Sequence, residues 1–207
     1  MITISRSIAE IAQDVRSCTR CGLATGRKFS VPGEGPVPAG LMLIGEGPGF
    51  HENEQGRPFV GAAGKFLEQL LGSIGLSRSD VFITNVVKCR PPANRDPLPD
   101  EMAACGDFLT EQLAAVDPRV VVTLGRFSMA RWFQGESISR IHGQPRQFGS
   151  LWVFPCFHPA AALHQEKYRA LIEADFLKLP GLLASLEPKP LEQAAPEVSS
   201  LEQLSLF

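Results

Sequence analysis

The chain has 207 residues, 44% hydrophobic, 20% charged and 8% aromatic, with a net charge of −2. That is apolar material enough for a core, which excludes wholesale disorder, and no run of about 18 apolar residues exists to span a membrane as a helix. Met1 to Asp14 lacks the basic stretch, apolar block and cleavage site of a secretory signal, so a cytoplasmic protein is expected. Five cysteines in a reducing compartment suggest a metal or catalysis rather than disulfides.

In chain order, Leu41 to Ile44 is a short apolar run ending at Gly45 and reads as a buried strand. Gly64 to Gly72 has helical spacing, and Val81 to Val87 is rich in β-branched residues and reads as a strand. Pro99 to Val116 opens on Pro and acids and continues with Met102, Phe108, Leu109 and Leu113, a helix. Arg119 to Leu124 is the strongest strand, Gly125 to Phe133 a helix, Leu151 to Phe157 a fourth strand, and Tyr168 to Leu183 a terminal helix. Four strands separated by helices predict an α/β fold with a mostly parallel sheet.

Composition changes near residue 185, which divides a domain over 1–185 from a tail over 186–207. Pro188, Pro190 and Pro196 interrupt a polar, acidic stretch that reads as a flexible linker over 186–202. The chain then turns apolar at Gln203-Leu204-Ser205-Leu206-Phe207. Charge is uneven too. Within 118–158 five arginines face one acid, Glu136, a local excess compatible with a basic face or with a solvated surface.

Ligands of open parallel sheets bind at the carboxyl ends of the strands. Here those ends carry Gly45-Glu46-Gly47-Pro48-Gly49 with Glu52 beyond it, Thr84-Asn85, Gly125-Arg126 and His158-Pro159. The glycine turn allows close backbone approach but lacks the Gly-Lys-Ser/Thr of a phosphate loop. Glu46 and Glu52 suit acid/base work or plain solvation. Phe59, between Gly56 and Gly61, is a stacking platform or a core residue. Asn85 presents an acceptor beside a donor, which matches the N3–H and O4 edge of uracil and mismatches cytosine; an Asn capping a turn is the alternative. Pro159 in the first helical position would put His158 by a helix N-terminus, where a neutral imidazole donating to an oxyanion is favoured over imidazolium. Cys18-Thr19-Arg20-Cys21 together with Cys89 and Cys105 gives four thiols, a count that fits structural zinc or an iron–sulfur cluster, and the spacing does not choose between them.

Gly45-Glu46-Gly47-Pro48-Gly49, Gly56-Arg57-Pro58-Phe59-Val60-Gly61, Thr84-Asn85-Val86-Val87-Lys88-Cys89-Arg90-Pro91-Pro92, Asn94-Arg95 and His158-Pro159-Ala160 together resemble family 4 uracil-DNA glycosylases, the iron–sulfur type. The likeness runs over about residues 10–180 with the motifs in the same order. It implies a three-layer α/β/α fold and hydrolysis of the N-glycosidic bond of deoxyuridine in single- or double-stranded DNA by a monomeric enzyme. It implies a [4Fe-4S] cluster on Cys18, Cys21, Cys89 and Cys105, with zinc the less favoured occupant. It also places Glu46, Gly47, Pro48, Glu52, Phe59, Asn85 and His158 at the uracil pocket, with Glu46, Glu52 and His158 as the catalytic set. A related branch that traps abasic DNA uses a His in a Lys/Arg-rich insertion, and Cys89–Leu98 has none. His51 and Asn53 stand where many relatives carry acids. No redox step is required, and the cysteines are remote from the pocket motifs in chain order, so a structural cluster is expected. The alternative is a non-catalytic uracil- or damage-binding module of the same fold; a nucleotide-binding or redox protein ranks below both. The last five residues resemble the pentapeptide that binds the bacterial sliding clamp, with Gln203, Leu204, Leu206 and Phe207 as the contact set.

Overall fold

A computed structural model describes residues 6–186; the expected linker beyond 186 and the 203–207 pentapeptide lie outside the described residues. Five strands, Leu41–Gly45 (β1), Phe82–Asn85 (β2), Val120–Leu124 (β3), Arg146–Phe148 (β4) and Leu151–Cys156 (β5), form one sheet in the order β2-β1-β3-β5-β4. The pairs β1–β2, β1–β3 and β3–β5 are parallel. The fifth strand corrects the expected count of four. β4 is three exposed residues paired antiparallel to β5 across a tight turn, with no alternation long enough to read from sequence.

Nine helices are found among the described residues: Ile8–Ser17 (α1), Phe50–Gln55 (α2), Ala62–Ser73 (α3), Pro99–Val116 (α4), Arg126–Met129 (α5), Ile138–Ile141 (α6), Ala160–His164 (α7), Glu166–Phe176 (α8) and Leu179–Ser185 (α9). Local chemistry sets their ends. In α1 the Glu10 N–H donates to Ser7 Oγ at 3.3 Å and Ser7 N–H to Glu10 Oε2 at 2.8 Å, a capping box. In α4, Pro99 stands in the first turn and Asp117 leaves the helix at φ 50°. The helix expected over 125–133 is one turn long, and the terminal helix expected over 168–183 breaks at Leu177 and Lys178 into α8 and α9.

Every residue of β1, β2 and β3 is buried, because helices cover both faces. Leu41 and Leu43 point with Ile83, Val122 and Phe154 into one core, against Phe66, Leu67 and Leu70 of α3 and Ile172 and Phe176 of α8. Met42 and Ile44 point the other way with Val121 and Val153, against Leu109 and Val116 of α4 and Met129 of α5. The result is the expected three-layer α/β/α sandwich, each buried large side chain contributing about 1.5–3 kcal/mol. A third, smaller core joins Ile11 and Val15 of α1 to Phe108 of α4 and to Val87, with the four expected cluster cysteines around it. None of the helices among the described residues is long and apolar enough to cross a membrane.

Candidate active site

The parallel register brings Gly45 of β1 opposite Asn85 of β2, and both strands end at the same edge. The loops leaving that edge, together with the one after β5, enclose a cavity of about 1010 Å³ counting its open mouth. All seven residues expected at the pocket line it: Glu46, Gly47 and Pro48 after β1, Glu52 from α2, Phe59, Asn85, and His158 after β5.

Asn85 is 1% exposed, and its Oδ1 is one of two buried side-chain oxygens without a hydrogen-bond partner among the described residues. A buried amide oxygen left unpaired costs about 1–3 kcal/mol, and such an orphan in a pocket is an acceptor in want of a donor. Gly45 makes its position available. A Cβ there would stand 2.3 Å from Asn85 Oδ1 and 2.7 Å from Phe59 Cζ.

Phe59 is 5% exposed: its ring is packed in the core and also forms pocket wall. It stacks on the His158 ring at 5.6 Å and 27°. Its φ of 52° is left-handed, unusual for a residue with a Cβ. Two devices hold it there. Arg78 donates from Nη1 to Phe59 O at 2.9 Å and from Nη2 to Pro58 O at 2.6 Å. Gly64 leaves room for the same carbonyl, which a Cβ would meet at 1.8 Å. Arg78 is fixed in turn by Glu34 at 2.5 Å, which also accepts from Arg57 at 2.8 and 3.0 Å.

His158 Nδ1 accepts from the Ala160 N–H at 3.1 Å, which leaves the proton of a neutral ring on Nε2. Burial holds its pKa down to about 4, opposed by the negative charge of Glu52. This corrects the helix-terminus argument. Pro159 caps α7 rather than opening it, and α7 is only five residues long; desolvation, not a helix dipole, keeps the ring neutral.

The two glutamates are in different situations. Glu52 Oε1 accepts from the Val60 and Gly61 N–H groups, both at 2.9 Å, and Oε2 from the Gly49 N–H at 3.1 Å. It ties the glycine turn to the Phe59 loop. Glu46 accepts no side-chain hydrogen bond among the described residues, and burial raises its pKa, helped by Asp96 and opposed by Arg126. An acid that is desolvated, unpaired and beside a pocket suits proton transfer. Asn53 is buried and closes a loop: its Oδ1 accepts from Lys28 N–H at 3.0 Å and its carbonyl from Phe29 N–H at 3.1 Å.

The sequence model of the uracil DNA glycosylase superfamily matches residues 32–178. The chain belongs to that superfamily. A type-4 uracil-DNA glycosylase of Saccharolobus solfataricus is 47% identical over 185 residues, covering 84% of this chain and 86% of that protein. Others from Sulfurisphaera tokodaii and Archaeoglobus fulgidus are 46% and 43% identical over 88% of this chain, covering 87% and 96% of those proteins. Within the superfamily, the chain is of the type-4 kind.

The second expected site shares the segment after β2 with the pocket. Cys18, Cys21, Cys89 and Cys105 line one apolar-walled cavity with Val15, Leu23 and Phe108. Nitrogen donors approach three of the sulfurs: Arg27 Nη1 to Cys89 at 3.1 Å, Lys88 N–H to Cys105 at 3.3 Å and Arg20 N–H to Cys18 at 3.5 Å. No three Cys, His, Asp or Glu side chains among the described residues are grouped to hold a metal ion. The cysteines are not remote from the pocket, since Cys89 is four residues from Asn85 and Pro91 already lines the pocket. Cys156 is fully buried in β5, as expected of an apolar cysteine.

Sequence reading left four contributors without a role. Arg78 has no local motif. Lys88 is 1% exposed and donates its three Nζ hydrogens to Thr84 Oγ1, Asn85 O and Gln112 Oε1 at 2.7, 2.6 and 2.6 Å; a lysine inside a strand-end segment reads as surface until the partners are seen. Asn94 and Arg95 also line the pocket; they stood among the family motifs without an assigned role.

Proposed function

We propose that the protein is a uracil-DNA glycosylase that hydrolyses the C1′–N1 bond of deoxyuridine in DNA, releasing uracil and leaving an abasic site. The observation that carries this is the orphan Asn85 Oδ1 in a pocket that also holds a stacked aromatic ring and a neutral imidazole with its free proton on Nε2. The membership in the type-4 enzymes supports the same reaction.

The glycosidic bond is out of reach inside a stacked duplex, so the nucleotide is extruded into the pocket. Phe59 stacks the base. Asn85 Oδ1 accepts the uracil N3–H and its amide N–H donates to O4; cytosine, with an acceptor at N3 and a donor at N4, opposes both. As the C1′–N1 bond breaks, its electron pair passes to the uracil ring and charge gathers at O2. His158 Nε2–H donates to that oxygen, together with backbone amide near Gly47; one such donor contributes about 3–4 kcal/mol. Water adds to C1′ and gives its proton to Glu46. Glu52, with three backbone hydrogen bonds, positions the two loops and sets its charge toward His158.

The four cysteines fit a [4Fe-4S] cluster better than zinc. Four thiols line one apolar-walled cavity with N–H donors approaching three of the sulfurs, surroundings that suit a multi-iron cluster, and the resemblance to the iron–sulfur type favours it over zinc. Bound there, the cluster would supply covalent ties between the segment after α1, the segment after β2 and α4; hydrolysis transfers no electrons. Iron and acid-labile sulfide with broad visible absorbance are expected, and stoichiometric zinc without iron in anaerobically purified protein would contradict this. We infer further that Gln203, Leu204, Leu206 and Phe207 dock on the bacterial sliding clamp, the linker raising local concentration at replicating DNA in the cytoplasm.

The test is an oligonucleotide assay with single-stranded, U:G and U:A substrates, treated with alkali to reveal abasic sites. Cleavage only at uracil, reduced about a hundredfold or more in His158→Ala, is expected. No cleavage by metal-loaded protein would favour the binding-module alternative.

A further inference from the structure

Phe50 is 53% exposed at the first position of α2, directly after Gly49, which lines the pocket. A lone exposed aromatic needs no explanation, but this one is part of an assembled face. The Arg90 guanidinium lies over its ring at 5.3 Å, and the His51 ring meets it edge-on at 5.4 Å and 82°. Arg90 is itself fixed: its Nε donates to Asn94 Oδ1 at 2.8 Å. Asn94 lines the pocket and, with Ala93, holds the left-handed backbone at φ 54° and 53°. Two consecutive non-glycine residues in that region store strain, which collects at binding sites. The Nη groups of Arg90 donate to no residue among those described, so they keep their hydrogens for an incoming group.

An aromatic ring capped by a guanidinium at the edge of a pocket has the chemistry that binds unpaired nucleotides: a π-face for a base and a cation for the adjoining phosphate. We propose that Phe50 and Arg90 form a stacking shelf for the base next to the extruded uridine. This rests on the glycosylase reading and extends it from the target nucleotide to its neighbour. The shelf favours DNA whose flanking base is free to leave its stack, so single-stranded uracil substrates gain most from it.

Half-saturating DNA concentration and maximal excision rate would be measured for wild type, Phe50→Ala and Phe50→Trp. The substrates are single-stranded uracil oligonucleotides with a normal base or an abasic analogue on the 5′ side, the 3′ side or both. Base–aromatic stacking predicts a half-saturation value about tenfold or more higher for Phe50→Ala, with a smaller effect on maximal rate. Phe50→Trp keeps wild-type behaviour, and the alanine penalty disappears when one particular flank is abasic. A Phe50→Ala enzyme equal to wild type, or a penalty that persists with both flanks abasic, overturns the shelf while leaving the glycosylase reading intact. No excision by the wild-type protein overturns both. Phe50 is on the surface, so its variants are expected to melt with the wild type.

Discussion

Gly45 is a small residue with a large consequence. Its missing Cβ lets Asn85 Oδ1 and the Phe59 ring share the space above the end of β1. Gly45→Ala is expected to keep the sheet but push both groups aside, lowering kcat/KM for uracil about a hundredfold, the scale of an ångström's misplacement; steady-state kinetics beside a thermal melt check it. The protonation states give a second test. Glu46, raised above the ordinary carboxylate value, must be ionised to take a proton, while His158 stays neutral down to about 4. The single-turnover rate should therefore climb with pH as Glu46 ionises, above the ordinary carboxylate range, with no limb near 6.5 that belongs to His158; a limb near 6.5 that vanishes in His158→Gln would contradict the assignment. The same group acts on stability. The unfolded chain takes up a proton near 6.5 and the folded chain only near 4, so stability is full above 6.5 and falls as pH drops across that window. His158→Phe should flatten that fall in melting temperature. Much of this scale was legible in the sequence: Asn85 and His158, from residue type and strand-end position, and Phe59, an aromatic in a glycine-bounded loop, were readable as pocket candidates, and all three line the pocket. What was hidden is which carboxylate is free, because the hydrogen bonds from Gly49, Val60 and Gly61 N–H to Glu52, and the burial of Glu46, exist only once the loops around α2 are folded together.

At the scale of elements, the strand ends were readable and the devices that aim them were not. Apolar runs marked β1, β2, β3 and β5, and Pro99 and Val116 bounded α4 as expected. β4, the shortness of α5 and the break between α8 and α9 were invisible, since three- and four-residue elements are set by partners rather than by their own periodicity. Arg78 belongs to this class: it comes just ahead of β2 and reaches back to the carbonyls of Pro58 and Phe59. Arg78→Met should lower stability by about 1–3 kcal/mol by leaving those carbonyls and Glu34 short of a donor, and should raise KM for uracil DNA. Denaturant unfolding and excision kinetics report the two effects. A variant with full affinity would show that Phe59 keeps its backbone conformation without the clamp.

Across the whole molecule, the segment from Asn85 to Pro91 serves both sites. Asn85 lines the pocket, Lys88 donates to the Asn85 carbonyl, Cys89 joins the thiol cavity and Pro91 returns to the pocket wall. Loss of the metal centre should therefore weaken the pocket as well as the fold. Cys105→Ala is expected to abolish visible absorbance and cost on the order of several kcal/mol in stability, with KM rising before the protein unfolds. Truncation at residue 202 should leave excision on free oligonucleotides unchanged and remove retention on immobilised clamp; retention by the truncated chain would refute the docking role of the pentapeptide. The central claim, that this pocket reads and releases uracil, is met most directly by identifying the freed base. Duplexes carrying uracil, thymine and cytosine in defined places would be incubated with the wild-type protein and with Asn85→Ala, and the small molecules separated by mass. Free uracil in one-to-one ratio with abasic sites, no other base, and a sharp loss in Asn85→Ala is the predicted result. Release of cytosine or thymine at comparable rate, or no base at all from metal-loaded protein, would contradict it.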